Sequence, residues 1–347
     1  MITKIKLTNF RRFNNLELDI NKKIVVFHGN NARGKSTILE AIYLLSNGKS
    51  PWAINDEYIN TRQKDEERYS RIEVTDEDNT YSFYKDTSRR KVKINNQATT
   101  PQKFFQANTA TIFNPEQIEI LMLSSSARRK FLDETISNID YEYTDILTMF
   151  RKVLRQRNAY LKKLAKKFYE SGVIARNDPQ LNFWTTEFLR HAETIQRKRI
   201  MLVKEIISDS FNLEYLPSNQ DIFLEDALEN AKRRDIATGY SNIGPHRDDW
   251  QIIDGKNIRK FGSRGEKRLA IGKLIFLTQD IMKKELGYYP ILLLDDIASE
   301  LDRENSKIIF DKGNISKQQT FITIIDYKEL PKDILKDAQL VDLNELE

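Results

Sequence analysis

The chain has 347 residues, 39% of them hydrophobic and 31% charged, with a formal charge of +5; this is room for about two domains, or one with a large insertion. With no cysteine and three scattered histidines (His28, His191, His246), disulfides, thiolate–zinc sites and thiol nucleophiles are excluded and a zinc hydrolase is disfavoured. Apolar runs reach only four or five residues and Met1–Leu7 alternates like a strand, so neither a membrane span nor a signal peptide is expected, and the cytoplasm is the simplest location.

Strands are predicted over Ile2–Leu7, Leu16–Ile20 and the apolar Ile24–Phe27. The last leads into Gly29-Asn30-Asn31-Ala32-Arg33-Gly34-Lys35-Ser36, of the form G-x-x-x-x-G-K-S, followed by Thr37 and the helical Ile38–Leu45. Strand, loop and helix in this order make a phosphate cradle. Glycines let the backbone wrap close, and amide N–H groups and the helix N-terminus point at the anion. Gly29 to Thr37 are therefore the candidate ATP-binding residues, with Lys35 a point charge on the phosphates and Ser36 a Mg²⁺ ligand. Further strands are expected at Arg71–Val74, Thr80–Tyr84, Lys91–Ile94 and Thr109–Phe113, the last closed by Asn114-Pro115; the charged Asp56–Arg68 reads as a surface loop.

From about Pro115 the periodicity becomes helical. Phe150, Val153, Leu154, Leu161, Leu164 and Phe168 fall on one side, and Arg151, Arg155, Lys162 and Lys166 on another. Arg157 intrudes on the apolar side and must snorkel or pair. A break at Glu170–Pro179 precedes a second helical run from about Gln180 to Phe211. Helices of roughly 28 and 32 residues would reach about 40–50 Å and form an antiparallel arm. Arg151 to Glu205 holds fourteen Lys/Arg against five Asp/Glu, whereas Glu329 to Glu347 holds six acids and two bases. The four one-sided bases are the candidate DNA-contacting residues.

After Pro217 the chain is mixed again, with a strand at Trp250–Ile253, a turn at Asp254-Gly255 and a helix over Leu269–Leu286. Ile291–Asp295 reads as a buried strand ending in two carboxylates, Asp295 as metal ligand and Asp296 as base or water-orienting group. His246 is read as a hydrogen-bonded core histidine. Arg128 and Arg129 are placed just before a helix, with bracing and DNA contact both open.

Ser263-x-Gly265-Glu266 before a helix, the Asp295-Asp296 strand beyond it and Ser299-Glu-Leu-Asp302 after that resemble the signature motif, acidic strand and D-loop of ABC-type ATPases. The helix-filled gap from P-loop to acidic strand is similar to the structural-maintenance-of-chromosomes (SMC) branch. Within it, Leu7-Thr-Asn-Phe-Arg11, Leu39–Leu45, Arg128–Asp133, Leu154–Asn158, Gly244-Pro-His-Arg-Asp-Asp249 and Leu292–Asp296 resemble the RecF family, in the family's order and over nearly the whole chain.

The resemblance implies an α/β, ABC-type (SMC-like) P-loop ATPase head with an inserted helical arm lobe. Residues 1–115 would be the head lobe with Walker A, 116–211 the arm lobe, and 212–347 the head with signature motif, Walker B and D-loop. It further implies a slow, DNA-stimulated ATPase that acts as a molecular switch in recombinational repair, replication restart and the SOS response. ATP and Mg²⁺ would serve it, and an ATP-dependent homodimer would place Ser263 and Gly265 of one copy on the ATP of the other. Single-stranded, gapped or junction DNA and RecR- and RecO-type mediators are the implied partners, helping to load recombinase at gaps. Arg11 is implied as a phosphate or adenine contact and Asn114 as a metal contact. The chain departs from the family at Arg33, at Pro51-Trp52 and at Arg264-Gly-Glu-Lys267, and it has no histidine after Asp296, leaving Thr323 and Asp326 as candidates for the switch loop. Two other functions compete. A transporter motor needs a membrane partner and a shorter gap between the motifs. An SMC-like anti-phage ATPase needs an appended nuclease, for which the last fifty or so residues leave no room.

Overall fold

The computed structural model describes residues 1–53, 68–114, 120–172, 178–209, 211–220, 222–297 and 308–345. The D-loop candidate at 299–302, Pro115 and all but Arg68 of the charged segment 56–68 lie outside the described residues. The chain divides into two compact units, Met1–Glu119 with Arg264–Glu347, and Ile120–Ser263.

The first unit holds a five-stranded sheet in the order Ala338–Asp342, Ile24–His28, Thr320–Ile324, Ile291–Asp295, Ala110–Phe113, with every pairing parallel. Its strands are short apolar runs because a parallel sheet is covered on both faces: Val25, Val26, Phe27, Leu292, Leu293, Leu294 and Phe321 are all buried. Parallel strands bring their carboxyl ends to one edge, and the sequence places its polar residues there. The helix Lys35–Asn47 buries Ile38, Leu39, Ala41, Ile42, Leu44 and Leu45 and stops at Gly48, whose φ of 72° lets its N–H reach the Leu44 carbonyl.

A six-stranded antiparallel sheet completes this unit, in the order Phe13–Asp19, Lys4–Phe10, Tyr69–Thr75, Thr80–Asp86, Arg90–Ile94, Gln97–Ala98. Its alternation is that of a sheet with one wet face. Ile5, Leu7, Ile72, Val74 and Phe83 join the P-loop helix in one core, while Lys6, Thr8, Arg71 and Glu73 face outward.

The second unit contains the helices Ser125–Ile139, Tyr141–Ser171, Pro179–Glu205 and Leu224–Thr238. A four-stranded sheet joins them, in the order Lys256–Asn257, Asp249–Asp254, Phe211–Leu216, Ile207–Ser208. The break between the long helices has its expected chemistry: Gly172 at φ 68° ends the first, and the Asp178 carboxylate caps the second ahead of Pro179. Arg157 pairs rather than snorkels, donating to Asp235 at 2.9 Å and to Ser241 at 2.6 Å.

Two expectations are corrected. The second long helix ends at Glu205, and Phe211 opens a strand. The inserted unit likewise continues to Ser263 instead of ending at 211. Phe211–Leu216 pairs with Asp249–Asp254, and Leu224–Thr238 packs on Tyr141–Ser171, so a cut at 211 would split one core.

Candidate nucleotide-binding site

The P-loop leaves the end of Ile24–His28 and returns at the N-terminus of Lys35–Asn47. Gly29, Ala32 and Gly34 take φ of 135°, 61° and 94°, the left-handed region that wraps a backbone around an anion. At Gly34 the requirement is also spatial, since a Cβ there would come within 2.5 Å of the Phe13 ring. Asn30, Asn31, Ala32, Arg33 and Ser36 are exposed, Gly34 and Thr37 half-buried, and no acid occupies the first helical turn. The loop amides from Asn31 onward and a positive helix end make up the donor set a nucleotide phosphate needs.

Lys35 lies folded over the loop, its Nζ donating to the carbonyls of Gly29 at 2.7 Å and Asn30 at 3.0 Å. Burial lowers its pKa, and the charges of Asp296 and Asp295 oppose that shift. Asp295 ends the strand two places over and is buried. Desolvation raises its pKa; hydrogen bonds from Thr323 and Ser36 and the Lys35 charge pull it down, while Asp296 adds to the rise. Such a carboxylate gains most from a cation. Asp296 follows at φ 49°, its N–H donating to Thr323 Oγ1 at 2.9 Å. Asn114 is buried one residue beyond Phe113, which registers with Leu294, so it stands level with Asp295.

Lys35, Ser36, Asp295, Asp296 and Asn114 thus come together at one sheet edge. Mg²⁺ at a nucleotide site takes oxygen donors, typically one or two carboxylates together with substrate phosphates and waters; Asp295 is such a carboxylate, and Ser36 and Asn114 are neutral oxygen donors beside it. Arg11 forms a bidentate pair with buried Glu40 of the P-loop helix at 2.8 and 2.7 Å. Its neighbour Arg12 contacts the P-loop, donating to the Ala32 carbonyl. Asn344 was also missed in the sequence, and its side chain accepts the Asn30 N–H at 3.0 Å. No local motif marks either residue. Gly265 lies in the first turn of the helix Arg264–Leu286, which Ser263 precedes, and Ser263 is exposed.

In the second unit Arg151, Arg155, Lys162 and Lys166 are all exposed on Tyr141–Ser171, opposite the buried Leu147, Phe150, Val153 and Leu161. Lys162 lies 4.8 Å from the Tyr240 ring centre and Lys166 is 3.9 Å from Glu170. Arg128 and Arg129 sit inside the helix Ser125–Ile139, a correction to their expected place before it. Their role is bracing: Arg128 grips Asp249 at 2.6 and 2.9 Å, and Arg129 donates to the Asp248 carbonyl at 2.7 Å. His246 is a core histidine, its Nε2 2.9 Å from the Ser241 carbonyl, and burial pushes its pKa down to about 4.

A family model for the RecF/RecN/SMC N terminal domain matches residues 1–334. The chain is 34% identical to the DNA replication and repair protein RecF of Clostridium tetani, over 97% of this chain and 96% of that one. Its identity to RecF of Clostridium kluyveri is 33%, over 98% and 96%. A solved structure of the recombination mediator protein RecF with ATP in the RecFOR pathway superposes with a TM-score of 0.79 at 27% identity, covering 95% of this chain and 93% of that one. An Smc head domain from Pyrococcus furiosus, bound to the C-terminal domain of ScpA, is similar in fold alone (TM-score 0.51, 17% identity, covering 98% and 92%). Among the described residues no helix is long and apolar enough to cross a membrane. With the P-loop and the paired carboxylates on one edge of the parallel sheet, the chain belongs to the RecF family of DNA replication and repair proteins, within the SMC-like ATP-binding ATPases.

Proposed function

We propose that this protein is an ATP-dependent DNA-binding switch of recombinational repair and replication restart, hydrolysing ATP slowly and faster on DNA. The observation that carries it is the convergence of Lys35, Ser36, Asp295 and Asp296 at one strand edge. The loop amides from Asn31 to Thr37 and Lys35 hold the phosphates. Ser36, Asp295 and Asn114 would hold Mg²⁺, which when bound neutralises charge developing on the transferred phosphoryl group. Asp296 orients the attacking water and accepts its proton. Its side chain is one methylene shorter than a glutamate, which favours slow turnover and a gate over a motor. A second copy supplies Ser263 and the Gly265 N–H, at a second helix N-terminus, to the same nucleotide. Membership of a family with a RecFOR-pathway structure supports RecR- and RecO-type proteins as partners. The exposed bases of Tyr141–Ser171 support DNA contact through phosphates, without base readout.

The test is a mobility-shift series on single-stranded, duplex and gapped DNA, with and without ATP. The expected result is ATP-dependent binding, weakened for every sequence when Arg151, Arg155, Lys162 and Lys166 are changed together to Glu. The log–log salt slope on duplex should flatten by about 0.9 for each phosphate no longer neutralised. DNA affinity indifferent to ATP in the wild type would overturn the proposal.

A further inference from the structure

The wet face of the antiparallel sheet carries a concavity of about 300 Å³ lined by Thr8, Tyr69, Arg71, Ser82, Tyr84, Lys91 and Lys93. Strand register explains the grouping. Thr8 pairs with Arg71, Arg71 with Tyr84 and Tyr84 with Lys91, so one rung crosses four strands; Ser82 and Lys93 pair on the next. Tyr69 and Tyr84 stack with ring centroids 5.7 Å apart and planes 22° from parallel, giving a double aromatic platform. The hairpin that rims it, Lys85 to Lys93, holds five Lys/Arg and one acid, Asp86. Arg89, Arg90, Lys91 and Lys93 are exposed. Acids are present but engaged: Glu73 pairs with Arg71 at 2.7 Å, and Asp86 accepts the N–H groups of Ser88 and Arg89.

An aromatic stacking surface beside a net-basic rim is the recognition chemistry of unpaired nucleic acid. Bases stack on the rings, and the cations follow the backbone. A duplex keeps its base faces inside the stack, so it could use the rim but not the platform. Resting on the DNA-binding reading above, we infer that this face is a single-stranded DNA site separate from the long-helix bases, with one or two bases on Tyr69 and Tyr84 and phosphates on Lys91 and Lys93.

The experiment is fluorescence anisotropy of the full chain with ATP, on labelled oligo(dT) and on a duplex of equal length, across a salt series. Tyr69→Ala/Tyr84→Ala should weaken oligo(dT) binding about tenfold or more and leave the duplex within about twofold, because stacking is read only on open bases. Lys91→Glu/Lys93→Glu should also weaken oligo(dT) binding and flatten its salt slope by about 0.7 per phosphate no longer neutralised. Tyr69→Phe/Tyr84→Phe keeps the rings and should bind oligo(dT) like the wild type, which separates stacking from a folding defect. Duplex binding by the wild type with oligo(dT) affinity unmoved in the Ala and Glu variants would overturn this inference alone. A wild type that binds neither DNA sinks the DNA-binding reading and this site with it.

Discussion

The Thr323 hydroxyl donates to Asp295 Oδ1 at 2.7 Å and accepts the Asp296 N–H at 2.9 Å. One buried oxygen therefore orients the candidate metal ligand and pins the left-handed backbone of the candidate base. Thr323 and Asp326 are both candidates for the switch loop, and the geometry gives Thr323 a positioning task. Thr323→Val keeps the shape but leaves a buried N–H and a carboxylate oxygen without this partner, at a stability cost of about 1–3 kcal/mol. Single-turnover hydrolysis should slow about tenfold or more, while ATP affinity, set by Lys35 and the loop amides, changes little. Thr323→Ser should recover most of the rate. A Val variant with wild-type hydrolysis would remove Thr323 from the site.

Among the elements, the Gly244–Asp249 segment shows how buried polar groups fix the second unit. Asp248 accepts from Tyr215 at 2.5 Å, Gln196 at 2.8 Å and the Ser218 N–H at 2.7 Å, and Asp133 receives a bidentate Arg199 at 2.8 and 2.9 Å. Removing one partner of such a buried ion pair typically costs about 3–5 kcal/mol. His246 adds a pH dependence of known sign. Its folded pKa, about 4, lies below the unfolded value near 6.5, so the unfolded chain takes the proton first. The neutral ring has no pH cost above pH 6.5, and stability falls progressively from there to about pH 4. Between pH 7 and 4.5, His246→Gln should lose about 2–3 kcal/mol less than the wild type in denaturant melts. Parallel pH profiles would contradict that. Contiguous chemistry is legible in the sequence: the P-loop, the Asp295-Asp296 strand end, the alternating strands and the basic helix face each sit within one stretch. Pairing at a distance is not. Arg128 and Asp249 are 121 residues apart, and Arg199 and Asp133 are 66 apart. The end of the second long helix is overrun because Ile206 and Phe211 suit a helix face as well as a strand. Leu224–Thr238 is missed in the sequence although Leu224, Ala227, Leu228 and Ala231 recur at helical spacing; two of the four are small alanines, and charged residues from Glu225 to Asp235 surround them.

At the scale of the whole molecule, the proposed shared site has one chain hold the phosphates through its P-loop while a second copy presents Ser263 and Gly265 at a helix end. Hydrolysis should therefore rise with protein concentration. Ser263→Arg should bind ATP but neither dimerise nor hydrolyse it, and Lys35→Ala should lose ATP binding. A mixture of the two should regain activity, because each heterodimer has one intact composite site. No recovery on mixing, with a wild type that hydrolyses normally as a monomer in sedimentation, would remove the shared site. The claim that nucleotide state governs DNA contact is tested most directly by the dissociation rate of gapped DNA from Asp296→Asn protein, measured with and without ATP. An amide cannot accept the water's proton, so ATP stays bound and DNA should leave several-fold more slowly with ATP than without, and more slowly than from the wild type. The same dissociation rate with and without ATP would contradict it.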